Sequence, residues 1–211
     1  MNKNISFSLH TLELGPMENL IYLILDQSTG QAAVVDPGWE PEQILILARE
    51  LNATITDVLL THSHFDHVDG LEAIINSSNA RLHLLKDEAQ FWNKYLDIPY
   101  LHHEGEIIHL GQTPIKVLHT PGHTPGSACY LLPGHLFTGD TLFVLGHGRC
   151  DLPGGNSNEM YRTLHRLGTE IPGETVIHPG HYYGWASTST ITEQLASNPS
   201  MDFSDYSTTM H

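Results

Sequence analysis

Basic side chains are scarce in this chain. Lysine and arginine total 9 against 24 aspartates and glutamates in 211 residues, a formal net charge of −15. Most of such a surface repels a phosphate backbone, so nucleic acid is not expected as a partner. Cysteine is nearly absent. Cys129 and Cys150 form no Cys-x-x-Cys spacing, which argues against a disulfide framework and against a thiolate zinc knuckle. Reduced thiols in a cytoplasmic setting are the expectation. Long apolar runs are missing too: nothing approaches membrane-spanning length, and the N-terminus carries no signal-peptide run. With no linker and no low-complexity segment, residues 1–211 are expected to form one domain, with about 197–211 as a loose polar tail. Nothing in the sequence fixes an oligomeric state.

Histidine, by contrast, is abundant, at 16 residues. Three fall in Thr61-His62-Ser63-His64-Phe65-Asp66-His67, directly after the apolar run Val58-Leu59-Leu60. Imidazole and carboxylate are the usual protein ligands of zinc and iron. On a helix, residues two apart point to different faces, whereas at a strand end they share a side. His62 and His64 can therefore grip one ion from a loop at a strand's carboxyl end, leaving Asp66 and His67 for a second.

The surrounding pattern supplies such strands. Ile5–Leu14, Asn19–Leu25 and Ala32–Val35 predict an antiparallel meander. Pro41–Leu51 has helical spacing, Thr56–Leu60 is the strand that delivers the histidine loop, and Val68–Ile75 restarts a helix. A strand at Arg81–Leu85 and a helix at Asp87–Tyr95 follow, then a loop over Ile98–Gly105 in which His102 and His103 are expected to be solvated. Glu106–Leu110 with Ile115–His119, and Ser127–Leu132 with His135–Thr138, suggest two hairpins. A helix at Asn158–Leu167, a strand at Glu174–Ile177 and a helix at Ile191–Ala196 complete the chain. Strands and helices thus alternate in two similar halves, which predicts two packed sheets with helices outside.

Three further candidates each follow a strand: His123 in Thr120-Pro121-Gly122-His123-Thr124-Pro125-Gly126, Asp140 after Thr138-Gly139, and His181 after Pro179-Gly180. The inventory fills two metal positions. His62, His64 and His123 are assigned to one, Asp66, His67 and His181 to the other, and Asp140 bridges both. A metal-buffering protein is disfavoured because the remaining histidines are scattered.

This series, His62-x-His64-x-Asp66-His67 with His123, Asp140 and His181, resembles the metallo-β-lactamase fold superfamily over Asn19 to about Pro199. The resemblance implies an α/β (α+β) fold, a four-layer αββα sandwich. Asp140 stands where lactamases of the zinc-thiolate kind carry cysteine. His119–Gly126 and Gly148-Arg149-Cys150-Asp151 look like the glyoxalase II (hydroxyacylglutathione hydrolase) branch, with Cys150 where relatives usually have threonine. The chain stops where that branch continues into a C-terminal helical segment that holds glutathione.

The resemblance implies a metal-dependent hydrolase of a small-molecule, glutathione-like thioester. It would use Zn2+ as a binuclear pair, or Fe2+ or a mixed Zn/Fe pair. Asp66 would orient the nucleophile, and Arg149 and Tyr183 would hold the thiol carrier, although Arg149 can equally pair with Asp151. The alternative is a mononuclear Fe(II) persulfide dioxygenase using His62, His123 and Asp140, a set that suits non-haem iron. A coenzyme A or carrier-protein thioesterase and an RNA-processing nuclease are further alternatives.

Overall fold

The computed structural model describes residues 6–94 and 99–204. Two six-stranded sheets lie face to face. The first contains β1 (Phe7–Leu14), β2 (Asn19–Asp26), β3 (Gln31–Val35), β4 (Thr54–Leu59), β5 (Arg81–Leu85) and β6 (Tyr100–His102), in chain order. The second contains β7 (Ile107–Leu110), β8 (Thr113–His119), β9 (Ala128–Leu132), β10 (His135–Gly139), β11 (Val176–Pro179) and β12 (Ser189–Thr190), again in chain order. β1 to β3 form the expected antiparallel meander. From β3 onward the first sheet is parallel, because helices α1 (Pro41–Glu50), α3 (Leu71–Ser78) and α4 (Lys86–Trp92) carry the chain back between strands. α5 (Ser157–Glu170) does the same between the parallel pair β10 and β11, and α6 (Ile191–Ser197) follows β12.

Local chemistry accounts for these elements. α1 opens on Pro41, whose fixed φ suits a first turn. The Asn156 side chain caps α5 by accepting from the Asn158 and Glu159 amides. On α5, Met160, Leu164 and Leu167 recur at helical spacing and bury against Leu118, Leu136 and Ile177 of the second sheet. Ile44, Ala48 and Ile74 of α1 and α3 cover the outside of the first sheet. Between the sheets, Tyr22, Ile24, Val35 and Leu59 meet Ile115, Val117, Tyr130 and Phe137. Each such large side chain contributes about 1.5–3 kcal/mol on full burial. Because β2 is covered on both faces, its sequence is a continuous apolar run and does not alternate.

Four expectations need correction. Tyr100–His102 is not loop but strand β6, paired in parallel with β5. His102 is half-buried, in a relay running Asp57–His83–His102–Glu106 with contacts of 2.7, 2.9 and 2.9 Å. The helix expected over Val68–Ile75 is split: α2 (Phe65–Val68) ends before Gly70, and α3 begins at Leu71. In the stretch expected to be a loose tail, Pro199–Met201 forms a 3-10 turn with Met201 buried, and the Phe203 ring packs edge-on against Tyr161 and His165 of α5. β12, with two residues, is too short to leave a sequence pattern. Ile5, Tyr95 and Ile98, ends of three expected segments, lie outside the described residues, as does 205–211 of the expected tail.

Asp26, at the end of β2, ties the two sheets together. Its carboxylate accepts from the Ser28 and Thr29 amides and hydroxyls, and from the Gln112 amide and Thr113 hydroxyl on the other sheet. Burial opposes its ionisation, but the hydrogen bonds from Ser28, Thr113 and Thr29 prevail and hold its pKa below the ordinary 3.8. A depressed folded-state pKa stabilises above the unfolded value and ceases to do so as pH falls. Asp26→Ala is therefore expected to cost about 3 kcal/mol at neutral pH in urea denaturation. The variant should also lose part of the wild-type decline in stability below the ordinary carboxylate value.

Candidate metal centre

All seven candidate ligands leave the carboxyl ends of strands on one edge of the sandwich. β4 leads through Thr61 into His62 and His64, and the short α2 that follows presents Asp66 and His67. β8 leads to His123, β10 to Asp140 and β11 to His181. The two sheets are stitched at this edge: the Leu20 amide donates to the Gly180 carbonyl at 2.8 Å, and the Ala128 amide to the Thr61 carbonyl at 2.8 Å. The approach is close enough to require glycine. A Cβ on Gly38 would lie 1.6 Å from the Asp66 carbonyl oxygen, and one on Gly180 would lie 2.5 Å from Asp140 Oδ1.

The side chains converge in two groups. His62, His64 and His123 bring one nitrogen each within 4.8 Å of one another, and Asp66, His67 and His181 do the same with an oxygen and two nitrogens. Asp140 lies between them. Its Oδ1 is 3.4 Å from Nε2 of both His67 and His181, and its Oδ2 is 3.5 Å from His123 Nε2. The structure thus brings together the seven residues singled out in the sequence.

The outward-facing nitrogens fix the tautomers. His123 Nδ1 donates to the Arg149 carbonyl at 2.7 Å, and His181 Nδ1 to the Met17 carbonyl at 2.8 Å. His67 Nδ1 donates to Asp36 Oδ2 at 3.0 Å. The Thr61 hydroxyl donates to the same Asp36 oxygen at 2.6 Å, so it accepts from His62 Nδ1 at 3.0 Å. Every one of these rings therefore turns Nε2 inward. His67 and His181 Nε2 face each other at 3.2 Å, with Asp66 and Asp140 oxygens at 3.3–3.4 Å. Positive charge must sit there, either as protons or as a cation. His62 Nε2 and Asp140 Oδ1 are buried with no hydrogen-bond partner, as expected of ligand atoms. The donor set, five imidazoles and two carboxylates, suits zinc or iron.

Titration behaviour differs across the site. Burial, aided by neighbouring His67, holds His62 well below its ordinary value, and burial with His123 lowers His64 to about 4. Burial also acts on His67 and His181 but is outweighed. Asp140 and Asp36 raise His67 well above the usual range, and the neighbouring Asp140 and Asp66 carboxylates raise His181 to about 9. Asp66 and Asp140 are correspondingly held below the carboxylate range: burial opposes their ionisation, but their histidine partners prevail.

Ions entering the second group must expel those protons. Zinc titration of metal-stripped protein near neutral pH should release protons from this group, read as buffer-dependent heat. The same raised pKa gives the sign for the metal-free protein. Stabilisation from His181 is fully present below the ordinary 6.5 and is lost as pH rises through about 9.

The side chains behind the candidate ligands include three that the sequence pattern did not single out. Asp36 at the end of β3 serves His67 directly and His62 through Thr61. Its place at a strand end beside β4 is the signal that could have found it. Glu88 of α4 is buried; it accepts from the Ser63 amide at 2.7 Å on one oxygen and from the Thr124 hydroxyl at 2.6 Å on the other. It thus clamps the His62–His64 loop to the His123 loop. Asn19 Nδ2 donates to Asp66 Oδ2 at 3.0 Å while its Oδ1 accepts from Trp39.

Arg149 and Tyr183 both line the cleft above the ligands. The Arg149 guanidinium, however, is engaged by Asp151 through two contacts of 2.7 Å. The Tyr183 ring stacks on His181 at 4.6 Å. Both cysteines are free thiols, Cys129 buried and Cys150 half-buried. Among the described residues no helix is long and apolar enough to cross a membrane.

The chain is similar to several known proteins. A Bacillus velezensis protein described as "Probable polyketide biosynthesis zinc-dependent hydrolase BaeB" is 36% identical over 166 residues, which is 79% of this chain and 74% of that one. The hydroxyacylglutathione hydrolase of Rhodospirillum rubrum is 36% identical over 168 residues, 79% of this chain but 63% of its own length. The crystal structure of ETHE1 from Myxococcus xanthus superposes with a TM-score of 0.83 at 34% identity, covering 91% of this chain and 83% of that one. Residues 14–181 match the sequence profile of the Metallo-beta-lactamase superfamily, from the end of β1 to the last of the seven side chains. With its two-sheet architecture and its histidine and aspartate positions spanned by that match, the chain belongs to the metallo-beta-lactamase superfamily.

Proposed function

We propose that this protein is a metal-dependent hydrolase that cleaves thioesters. The observation that carries this reading is the pair of donor groups sharing Asp140 at the floor of an open cleft. Likeness to a hydroxyacylglutathione hydrolase and to a described zinc-dependent hydrolase supports the reaction class. His62, His64 and His123 would hold one ion, Asp66, His67 and His181 the other, and Asp140 both. Ions held by these residues would supply Lewis-acid polarisation of the carbonyl and would lower the pKa of a bound water to about 7.

The chain's own groups do the rest. Asp66, held by Asn19, faces the cleft and orients the attacking water. Asp36 keeps His62 and His67 in the tautomers that present Nε2. The apolar rim limits bulk water around the carbonyl. A thiolate, with a pKa of about 8.5, leaves with little help from an acid.

A second reading, iron-dependent dioxygenation of a persulfide, draws on the likeness to ETHE1 and on the His62, His123 and Asp140 subset. Metal analysis of purified protein decides between them when combined with two assays, lactoylglutathione or simple acyl thioester hydrolysis and oxygen uptake with glutathione persulfide. Two zinc or iron ions per chain with thioester cleavage is the expected result. One iron with oxygen uptake and no hydrolysis would establish the second reading instead.

A further inference from the structure

Above the seven ligands the cleft opens into a pocket of about 700 Å³. Its walls are apolar: Met17 from the β1–β2 turn, Phe65 beside the histidines, Phe91 at the end of α4, and Phe143, Leu152 and Tyr183 from the later loops. Phe65 and Tyr183 remain 62% and 53% exposed. Aromatic surface left open around a reactive floor marks a binding wall. The wall is also built firmly. A Cβ on Gly154 would lie 2.7 Å from the Phe91 ring and 2.8 Å from Pro125, so the loop carrying Leu152 is pressed onto that ring.

We propose that this pocket takes the acyl half of the thioester, and that the acyl group is an extended, uncharged hydrocarbon chain. The proposal rests on the thioester reading above. A two- or three-carbon acyl group fills only a fraction of the volume and leaves the far wall at Phe91 and Leu152 untouched. Common thiol carriers end in carboxylates or phosphates, which an apolar wall rejects. Of the two basic side chains in the lining apart from the candidate ligands, Arg149 already has its charge matched by Asp151, and His147 turns its Nδ1 to the Gly148 carbonyl. The half that can seat against Phe91 and Leu152 is therefore the acyl chain, with the thiol half directed through the open mouth to solvent.

The test uses metal-loaded protein and N-acetylcysteamine thioesters bearing acetyl, butanoyl, hexanoyl, octanoyl and lactoyl groups, with lactoylglutathione alongside. Each methylene buried in the pocket should raise kcat/KM about fourfold. Octanoyl carries six more methylenes than acetyl, so its kcat/KM should exceed acetyl's by about 4,000-fold if all six are buried and by no less than about 50-fold if three are. Phe91→Trp shortens the pocket, and Leu152→Glu places a charge in its wall. Each should lower the octanoyl-to-acetyl ratio at least about tenfold.

A flat series, a preference for lactoyl over octanoyl, or a ratio unmoved in both variants would overturn the proposal while leaving a thioesterase in place. Cleavage of none of the thioesters would instead refute the hydrolase reading on which it stands.

Discussion

Asp140→Ala is expected to lower kcat/KM about 1,000-fold or more, the largest loss from any single side chain here. Asp140 lies within 3.4–3.5 Å of three inward-facing imidazole nitrogens, one from the first donor group and two from the second. Removing it takes a ligand and a negative charge from both at once. Metal analysis should find the two ions per chain reduced to one or none. Asp140→Asn, which keeps the shape but not the charge, should bind more weakly than wild type and more tightly than the alanine variant. Two tightly held ions and full turnover in Asp140→Ala would refute both the bridging role and the site assignment.

The second large effect is expected at Glu88, which touches no ligand ring. Its two oxygens are divided between Ser63, which sits between His62 and His64, and Thr124, which follows His123. Glu88→Ala strands a buried amide and two hydroxyls, a cost of about 3 kcal/mol or more. It also frees two ligand loops to drift apart, and such outer partners are worth about 10–100-fold in metal affinity. Urea denaturation of metal-stripped protein reads the first effect. Cobalt titration of the His62–His64–His123 group, followed by its visible bands, reads the second. Glu88→Gln keeps one acceptor oxygen and should recover part of the affinity. An alanine variant with unchanged stability and unchanged cobalt spectrum would show that the clamp has no such role.

What could be read in advance depended on range. The candidate ligands were legible because they lie in short loops and one short helix that follow strands, where a local pattern and a local consequence coincide. His62 and His64 declare themselves through the apolar run at Val58–Leu60, and Asp140 through Leu136-Phe137. The run at Asn19–Leu25 likewise announces a strand covered on both faces. Glu88 carries no such mark. Its partners lie 25 and 36 positions away, and its surroundings are those of any short amphipathic helix. β6 escapes because three residues are too few for a period, and its strand character comes from pairing with β5. The turn at Pro199–Met201 is set by one buried methionine on α5, a contact that sparse apolar residues do not signal.

Each sheet is woven from one contiguous half of the polypeptide, and the proposed ion-holding atoms are shared out between them. His62, His64, Asp66 and His67 belong to the first leaf; His123, Asp140 and His181 belong to the second. Cations gripped from both sides, as proposed above, would act as rivets through the joint. Prising the leaves apart spoils both coordination sets together, and filling the sets presses the leaves shut. Affinity for the ions is thus a gauge of how tightly the sandwich is closed, and chelation should slacken the joint before either leaf melts.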